Sequence, residues 1–337
     1  MQKVSIKDIA KAVGVSNGAV SAALNGREKD GYISEALAKT IRKKAHEMNY
    51  KPNNLARGLR MGKTNIIGLI LPSISDLFYS QIARIIEIEA EKLGYSLMIC
   101  SSESDKEKEE RVIRTLKSKQ VDGIIIAPTK KSKAEIEILI KEEYPVVTFD
   151  RFFPDLPLNS IIIDNEESSY KLVRHLINQG RKNIAILTTN PHLTTMDMRF
   201  RGYKKAMEEA GMSMHPDLYG LVEYINYEEN LCNVLDTILK KAPDVDGFFF
   251  TTHILALETL CYFSDHNISV NQFGMACIHE VPTFKVMAPT MHIARMPVED
   301  IGANCVKILH ENIENNRHQE KKHWINNMVM PCVLKLK

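Results

Sequence analysis

Paired cysteines of the C-x-x-C kind are missing from this chain. Its 6 Cys stand apart as Cys100, Cys232, Cys261, Cys277, Cys305 and Cys332, a scatter that offers neither a zinc ribbon nor a redox couple and leaves reduced thiols as the expectation. No stretch approaches the roughly twenty apolar residues that cross a bilayer, and "MQKVSIKDIA" has no apolar signal core. The sequence therefore reads as cytoplasmic, neither exported nor inserted. Catalytic signatures are absent too: no G-x-S-x-G, H-E-x-x-H or Walker pattern occurs, so an enzyme is not expected. "GLRMGKT" imitates a phosphate loop, but Gly58 and Gly62 stand one residue too close and no strand precedes them. The one Trp, Trp324, has no evident task beyond packing, and nothing calls for a cofactor.

What is present is length and apolar content. The chain has 337 residues, 44% of them hydrophobic, enough for two or more cores. Its net charge of +2 hides an asymmetry, because residues 1–63 carry about +8 and the rest about −6. A basic head on an acidic body points to a polyanion partner for the head alone; a solvated Lys-rich surface would give the same sum.

Ser5 followed by Asp8 is a capping pair, after which Ile6, Ile9, Ala10 and Val13 fall on one helical face until Gly14. Ser16 caps a second helix, with Ala19, Val20, Ala23 and Leu24 inward and Asn17, Gly18, Ser21, Ala22 and Asn25 on the opposite arc. Ser34 opens a third, with Leu37, Ile41, Ala45 and Met48 as its buried stripe. Helix, short Gly-bearing turn, helix is the pattern whose second helix enters the DNA major groove. Small side chains let its backbone come close to base edges. Asn17 is suited to bidentate contact with adenine, Ser16 and Ser21 to phosphate. With Ser5, Gly18, Ala22 and Asn25 these are the candidate DNA-facing residues of the head; a three-helix interaction module would show the same apolar spacing.

In "YKPNNLARGLRMGKT", Pro52 breaks the preceding helix and Asn53 can cap a short one in which Leu55 and Leu59 lie a turn apart, flanked by Ala56, Arg57 and Arg60. Leucines between arginines fit a minor-groove wedge that kinks the duplex. A lone segment this short is expected to order only on DNA and against a symmetry mate. The alternative is an ordinary linker.

"VSIKDIAKAVGVSNGAVSAALNG" and the run from "ISEALAKTIRKKAHEMNY" to "SQIARIIE", with "VDGIIIAP", "PVVTFDR", "RFRGY" and "ARMPVEDIG" further on, resemble the lactose/galactose repressor (LacI/GalR) family over nearly the whole chain. The resemblance implies that Leu55 is pushed into the minor groove by a dimer. It also implies a body like periplasmic sugar-binding proteins with an effector between two lobes, gripped by the Arg of R-x-x-G, here Arg199 before Gly202. Three places depart from the family's pattern. Ala22 stands where many members have Arg, Thr252 and His253 replace an Asn-Asp pair, and Cys277, Ile278 and His279 replace Gly-Phe-Asp.

From residue 64 on, apolar runs alternate with amphipathic stretches, the βαβ rhythm of parallel sheets covered on both faces. "VDGIII" and "VDGFFF" echo each other as in two similar lobes. Ligands bind beyond the carboxyl ends of such strands. The pocket candidates are therefore Ser75, Asp76, Phe78, Asp150 with Arg151, Arg199, His253 and His279. Imidazoles in place of acidic residues beside Arg199 suit an anionic effector such as a sugar phosphate or sugar acid; packed core histidines are the plainer alternative. A metal site from His253, His279, His292 and Cys277 lacks helical i, i+4 spacing and is set aside.

The expected architecture is an all-α helix-turn-helix head (1–50), a hinge helix and linker (51–63), and a two-lobed α/β body of parallel sheets (64–337). The first lobe is assigned about 64–162 and 293–322, the second about 163–292 and 323–337. The expected function is a sequence-specific repressor that binds a palindromic double-stranded DNA operator as a homodimer under a carbohydrate-type effector. The alternative is the same regulator without an effector. "MVMPCVLKLK" adds no trailing heptads for a tetramer, and Ile82, Ile85 and Ile86 are the expected dimer face.

Overall fold

The computed structural model describes residues 4–27, 31–50, 63–189, 194–223, 227–318 and 327–337. The chain divides between Thr64 and Asn65 into a helical head and an α/β body. Asn53, Leu55, Ala56 and Arg57 lie outside the described residues.

In the head, α1 (Ile6–Val13), α2 (Asn17–Leu24) and α3 (Glu35–Glu47) follow their caps. The Ser5 hydroxyl and N–H donate to the Asp8 carboxylate at 2.7 and 2.8 Å, which holds Asp8 below its ordinary pKa. Gly14, at φ 76°, closes α1 in the left-handed region that glycine enters without strain. Ser16 Oγ accepts from Ala19 N at 3.1 Å and Ser34 Oγ from Leu37 N at 3.3 Å, so the next two helices also start on serine. Ile9, Val20, Ala23, Ala38 and Ile41 are fully buried between the three. Arg42 of α3 donates to the Ala23 carbonyl at 2.9 Å, satisfying the end of α2.

The body holds two six-stranded sheets, with strands numbered in chain order. The first contains β1 (Ile66–Leu71), β2 (Ser96–Ser101), β3 (Gly123–Ile126), β4 (Val146–Phe149), β5 (Asn159–Ile163) and β11 (Asn327–Met330) in the all-parallel order β11-β5-β4-β3-β1-β2. The second contains β6 (Ile184–Thr189), β7 (Tyr219–Val222), β8 (Gly247–Phe250), β9 (Gly274–Ile278), β10 (His292–Arg295) and β12 (Val333–Lys335) in the order β12-β10-β9-β8-β6-β7, with only β12 antiparallel. Continuous Ile, Val and Phe runs bury both faces of the central strands under helices.

The chain crosses between lobes three times: at Asp164, at Met296–Pro297 and at Pro331–Cys332. Pairing corrects two of the expected lobe limits. Ile293 pairs with Cys277, so residues 292–295 stay in the second lobe, and Met328 pairs with Ile161, so residues 327–330 return to the first. A short strand beside a crossing carries no mark in its own sequence of which sheet it will join. Asp164 ties two crossings together: its Oδ1 accepts from Ser168 Oγ at 2.6 Å and from Cys332 N at 2.9 Å.

Helix Leu77–Lys92 packs Ile82 and Ile86 into the core of its own chain, both fully buried, and only Ile85 is half-buried. The expected dimer face is therefore largely core, because helical periodicity looks the same in both roles.

Candidate functional site

On α2, with roughly 100° between successive residues, Asn17, Ser21, Gly18 and Asn25 share one arc. Asn17, Gly18 and Asn25 are exposed and Ser21 is half-buried. A Cβ at Gly18 would meet only Ser16 Oγ at 3.6 Å, so the small residue is required by nothing in the head itself. Asn25 turns its amide back on Ser21, donating to the carbonyl at 2.7 Å and the hydroxyl at 3.3 Å. Ser16 is occupied as the cap and Ser5 as partner of Asp8. Ala22, placed outward from sequence, is 8% exposed and belongs to the core side. It lies on the border between the arcs, where a methyl group is too short to clear its neighbours.

Between the lobes a cavity of about 80 Å³ is lined by Asp76, Phe78 and Asp150 from one side and Arg199, His253 and His279 from the other. Tyr79, Arg151, Thr195, Met196, Tyr227 and Met296 complete much of the wall. Ser75 is exposed and does not line it; its hydroxyl shares a 2.7 Å hydrogen bond with Ser73. Counting residues past a strand end does not say which of two neighbours turns inward. Cys277 is fully buried in β9 and does not line it either, while Ile278 does. His292 is elsewhere, held by Gln179 Oε1 at 2.9 Å and by the Lys337 N–H at 3.0 Å. Among the described residues no group of three or more His, Cys, Asp or Glu could hold a metal ion.

Asp76 caps helix Leu77–Lys92, accepting from Phe78 N at 2.8 Å, and its Oδ1 lies 3.5 Å from His253 Nε2. Burial raises the Asp76 pKa and lowers that of His253, each against the attraction of the other. Asp150, at φ 59°, accepts from the Tyr79 hydroxyl at 2.6 Å and lies 3.8 Å from Arg151 Nε. Arg199 is 4% exposed and donates through Nε to Asn165 Oδ1 at 2.7 Å and through Nη1 to the Thr251 carbonyl at 2.6 Å. His279 is 3% exposed, and neither of its ring nitrogens has a hydrogen-bond partner.

The R-x-x-G pattern has a packing cause. A Cβ at Gly202 would lie 2.2 Å from the Glu166 carbonyl oxygen, so only glycine lets helix Thr194–Glu209 come this close to helix Asn165–Asn178. That approach brings Arg199, one turn earlier, to Asn165 at the first crossing. Asn165, Tyr79, Thr195 and Met196 were missed from sequence. Thr195 and Met196 stand four and three residues before Arg199, on its helical face, which was a usable signal.

A trihelical head with a small-residue second helix, joined to two parallel-sheet lobes around a cleft, defines the transcription regulators with a periplasmic-binding-protein-like body. Residues 5–53 match the bacterial regulatory proteins of the lacI family, and residues 64–258 match the periplasmic binding proteins and sugar binding domain of LacI family. The HTH-type transcriptional regulator DegA of Bacillus subtilis (strain 168) is 36% identical over 307 residues, 89% of either chain. The crystal structure of the lac repressor dimer bound to operator and an anti-inducer superposes with a TM-score of 0.82 at 19% identity, covering 100% of this chain and 98% of that one. The Cra dual regulator of Pseudomonas putida, in complex with fructose 1-phosphate, gives 0.72 at 18% identity over 81% of this chain and 98% of that one. The chain belongs to the LacI family. It is a DNA-binding transcription regulator with a sugar-binding-type domain, and the relatives named are regulators rather than enzymes. Among the described residues no helix is long and apolar enough to cross a membrane.

Proposed function

We propose that the protein is a repressor that binds an approximately palindromic operator as a homodimer, one head per half-site, and that an anionic carbohydrate-type effector in the interlobe cleft controls it. The observation that carries DNA reading is the outer arc of α2, where Asn17, Gly18 and Asn25 are exposed and Ser21 is half-buried beside them. Ser5 and Ser16 place two helix starts for phosphate contact, and Ala22 supports the arc from its border. Asn53, Leu55, Ala56 and Arg57 supply the minor-groove wedge, paired across the dimer.

Effector control is supported by the His279 imidazole, buried at the cleft wall without a partner. The pattern of lobes resembles that of the Cra complex with fructose 1-phosphate. Only differential affinity for two lobe arrangements lets a ligand change DNA binding. A second reading, the same regulator without an effector, is favoured by the cavity itself. Its roughly 80 Å³ is well below the ~300–1,000 Å³ of ordinary ligand pockets, so a sugar enters only after the lobes part.

Selection of DNA sites by the purified full-length protein tests the whole reading. An inverted repeat should emerge, binding should weaken steeply with salt, and Leu55→Ala should reduce both specific affinity and DNA bending. Recovery of no site in a low-salt selection, with and without metabolites, refutes it.

A further inference from the structure

The cleft brings two carboxylates, two guanidinium groups and two imidazoles together. Both of its carboxylates are engaged, Asp150 by the Tyr79 hydroxyl and Asp76 by Phe78 N and His253. The bonds of Arg199 use Nε and Nη1 and leave Nη2 for a ligand. Two helices, Leu77–Lys92 and His253–Asp265, begin at the cavity wall and bring the positive ends of their dipoles there. Within this setting His279 stands at φ 77°, buried, with Nδ1 and Nε2 both unpartnered. Its ring packs 5.3 Å from that of Phe78 and 5.2 Å from that of His253, centroid to centroid. A buried polar group normally has a partner, and neither ring nitrogen of His279 has one.

We propose that His279 receives the acidic group of the effector and takes up one proton as it does so, making effector affinity fall as pH rises. The proton comes from hydronium or a buffer acid, whose bond to it breaks to leave water or the buffer base as an N–H bond forms at a ring nitrogen lone pair; the imidazolium then donates to the ligand's anionic oxygen. His253 is itself held against Asp76, 3.5 Å from its Oδ1. This inference rests on the cleft being the site of an anionic effector and adds the residue that receives its acidic group and the coupling to protons.

The groups facing His279 fit this role. Helix Leu77–Lys92 presents Asp76 at its start, helix His253–Asp265 presents His253, and helix Thr194–Glu209 presents Arg199. The turn after β4 adds Asp150 and Arg151, the end of β10 adds Arg295, and the next residue, Glu280, is paired with Lys335 at 2.5 Å. Arg84, Lys285 and Glu299 share a groove with His279 on its outer side. Burial first, then the charges of His253, Arg199 and Arg295, hold His279 down at about 3. An anion at hydrogen-bond distance opposes all of these. Between the free and bound pKa values the dissociation constant then rises about tenfold per pH unit.

Calorimetry on the full-length protein with D-gluconate, D-glucuronate and D-glucose 6-phosphate against D-glucose tests the proposal. The pH series uses gluconate or glucuronate, whose charge is constant between pH 6 and 8. At least one acid should bind at least about tenfold tighter than glucose, weaken about tenfold or more from pH 6 to pH 8, and bring about one proton per chain, read from buffers of different ionisation enthalpy. His279→Asn, a residue that tolerates positive φ but cannot take the proton, should abolish uptake and flatten the pH series while leaving DNA binding without effector intact. Tighter binding of glucose, or acid binding without proton uptake, overturns the proposal; if DNA affinity still responds to that ligand, effector control of the regulator stands. Binding of none of the four overturns the proposal, and operator affinity unmoved by any of them counts against the cleft as effector site as well.

Discussion

Gly202→Ala is the sharpest probe of how the body holds its arginine. The added Cβ would lie 2.2 Å from the Glu166 carbonyl oxygen, 2.8 Å from Ser169 Cβ and 2.9 Å from Tyr170 N. Two of the three are backbone atoms, so no rotamer change relieves the overlap and the two helices must part by about an ångström. Overpacking of this kind costs ~1–3 kcal/mol, and a contact that only backbone movement can relieve belongs at the upper end, about 3 kcal/mol. For the Asn65–Lys337 body that corresponds to a melting temperature lower by about 5 °C. The same separation draws Arg199 Nε away from Asn165 Oδ1, now at 2.7 Å, so operator affinity should stop responding to effector while the head still binds DNA. Thermal unfolding of the body followed by circular dichroism, with an operator titration alongside, reads both effects. A melting temperature within about 2 °C of the parent, with the effector response intact, would refute the reasoning.

Gly18→Ala should leave the head as stable as before or stabilise it by up to ~1 kcal/mol, since alanine suits a helix and only Ser16 Oγ stands near. It should nevertheless weaken operator binding about tenfold, the cost of one methyl group between backbone and base edge; unchanged affinity in a gel-shift titration would take α2 out of the groove. Acid should destabilise the body as pH falls from 6.5 to about 3, the His292 share ending near 4. Burial holds His279 at about 3 and His292 at about 4, so as pH falls the unfolded chain gains protons that the folded chain refuses, and stability is lost until the folded values are reached. Urea midpoints at pH 7, 6 and 5 should fall in that order, less steeply in His292→Gln; a midpoint independent of pH across this window would contradict it.

Local chemistry was readable where a residue's role is set by its own neighbours in the chain. The caps at Ser5, Ser16 and Ser34 and the closure at Gly14 depend on spacing of three residues or on one dihedral angle, and the sequence displays both. The burial of Val20 and Ala23 followed from helical period alone, whereas Ala22, on the border of that period, did not. Tertiary choices were less visible. Residues 292–295 and 327–330 are short strands beside crossings, and their lobe is decided by partners far away, Cys277 and Ile161. In the cleft, strand-end counting reached Asp76, Phe78, Asp150, Arg199, His253 and His279 because parallel strands deliver their carboxyl ends to one side. It over-reached at Ser75 and passed over Asn165, whose importance comes from a partner 34 residues later.

Asn165 connects the cleft to the crossings between the lobes. It begins helix Asn165–Asn178 at the first crossing, donates through Nδ2 to the Ile163 carbonyl at 3.2 Å and accepts Arg199 Nε through Oδ1. Next to it, Asp164 accepts from Cys332 N at the third crossing. A ligand that drew the Arg199 guanidinium toward itself would therefore pull on the connections between the lobes. A ligand held only by Asp76 or His253 would not. Asn165→Ala separates the two roles of Arg199: its bond to the Thr251 carbonyl at 2.6 Å remains and keeps the guanidinium in the cleft, while its link to the crossing is gone. Gluconate should then bind the variant within about threefold of the parent, as befits a residue outside the ligand's reach, yet operator affinity should no longer change when it does. If the variant responds to ligand as the parent does, the lobes are moved by some other contact and Arg199 only grips.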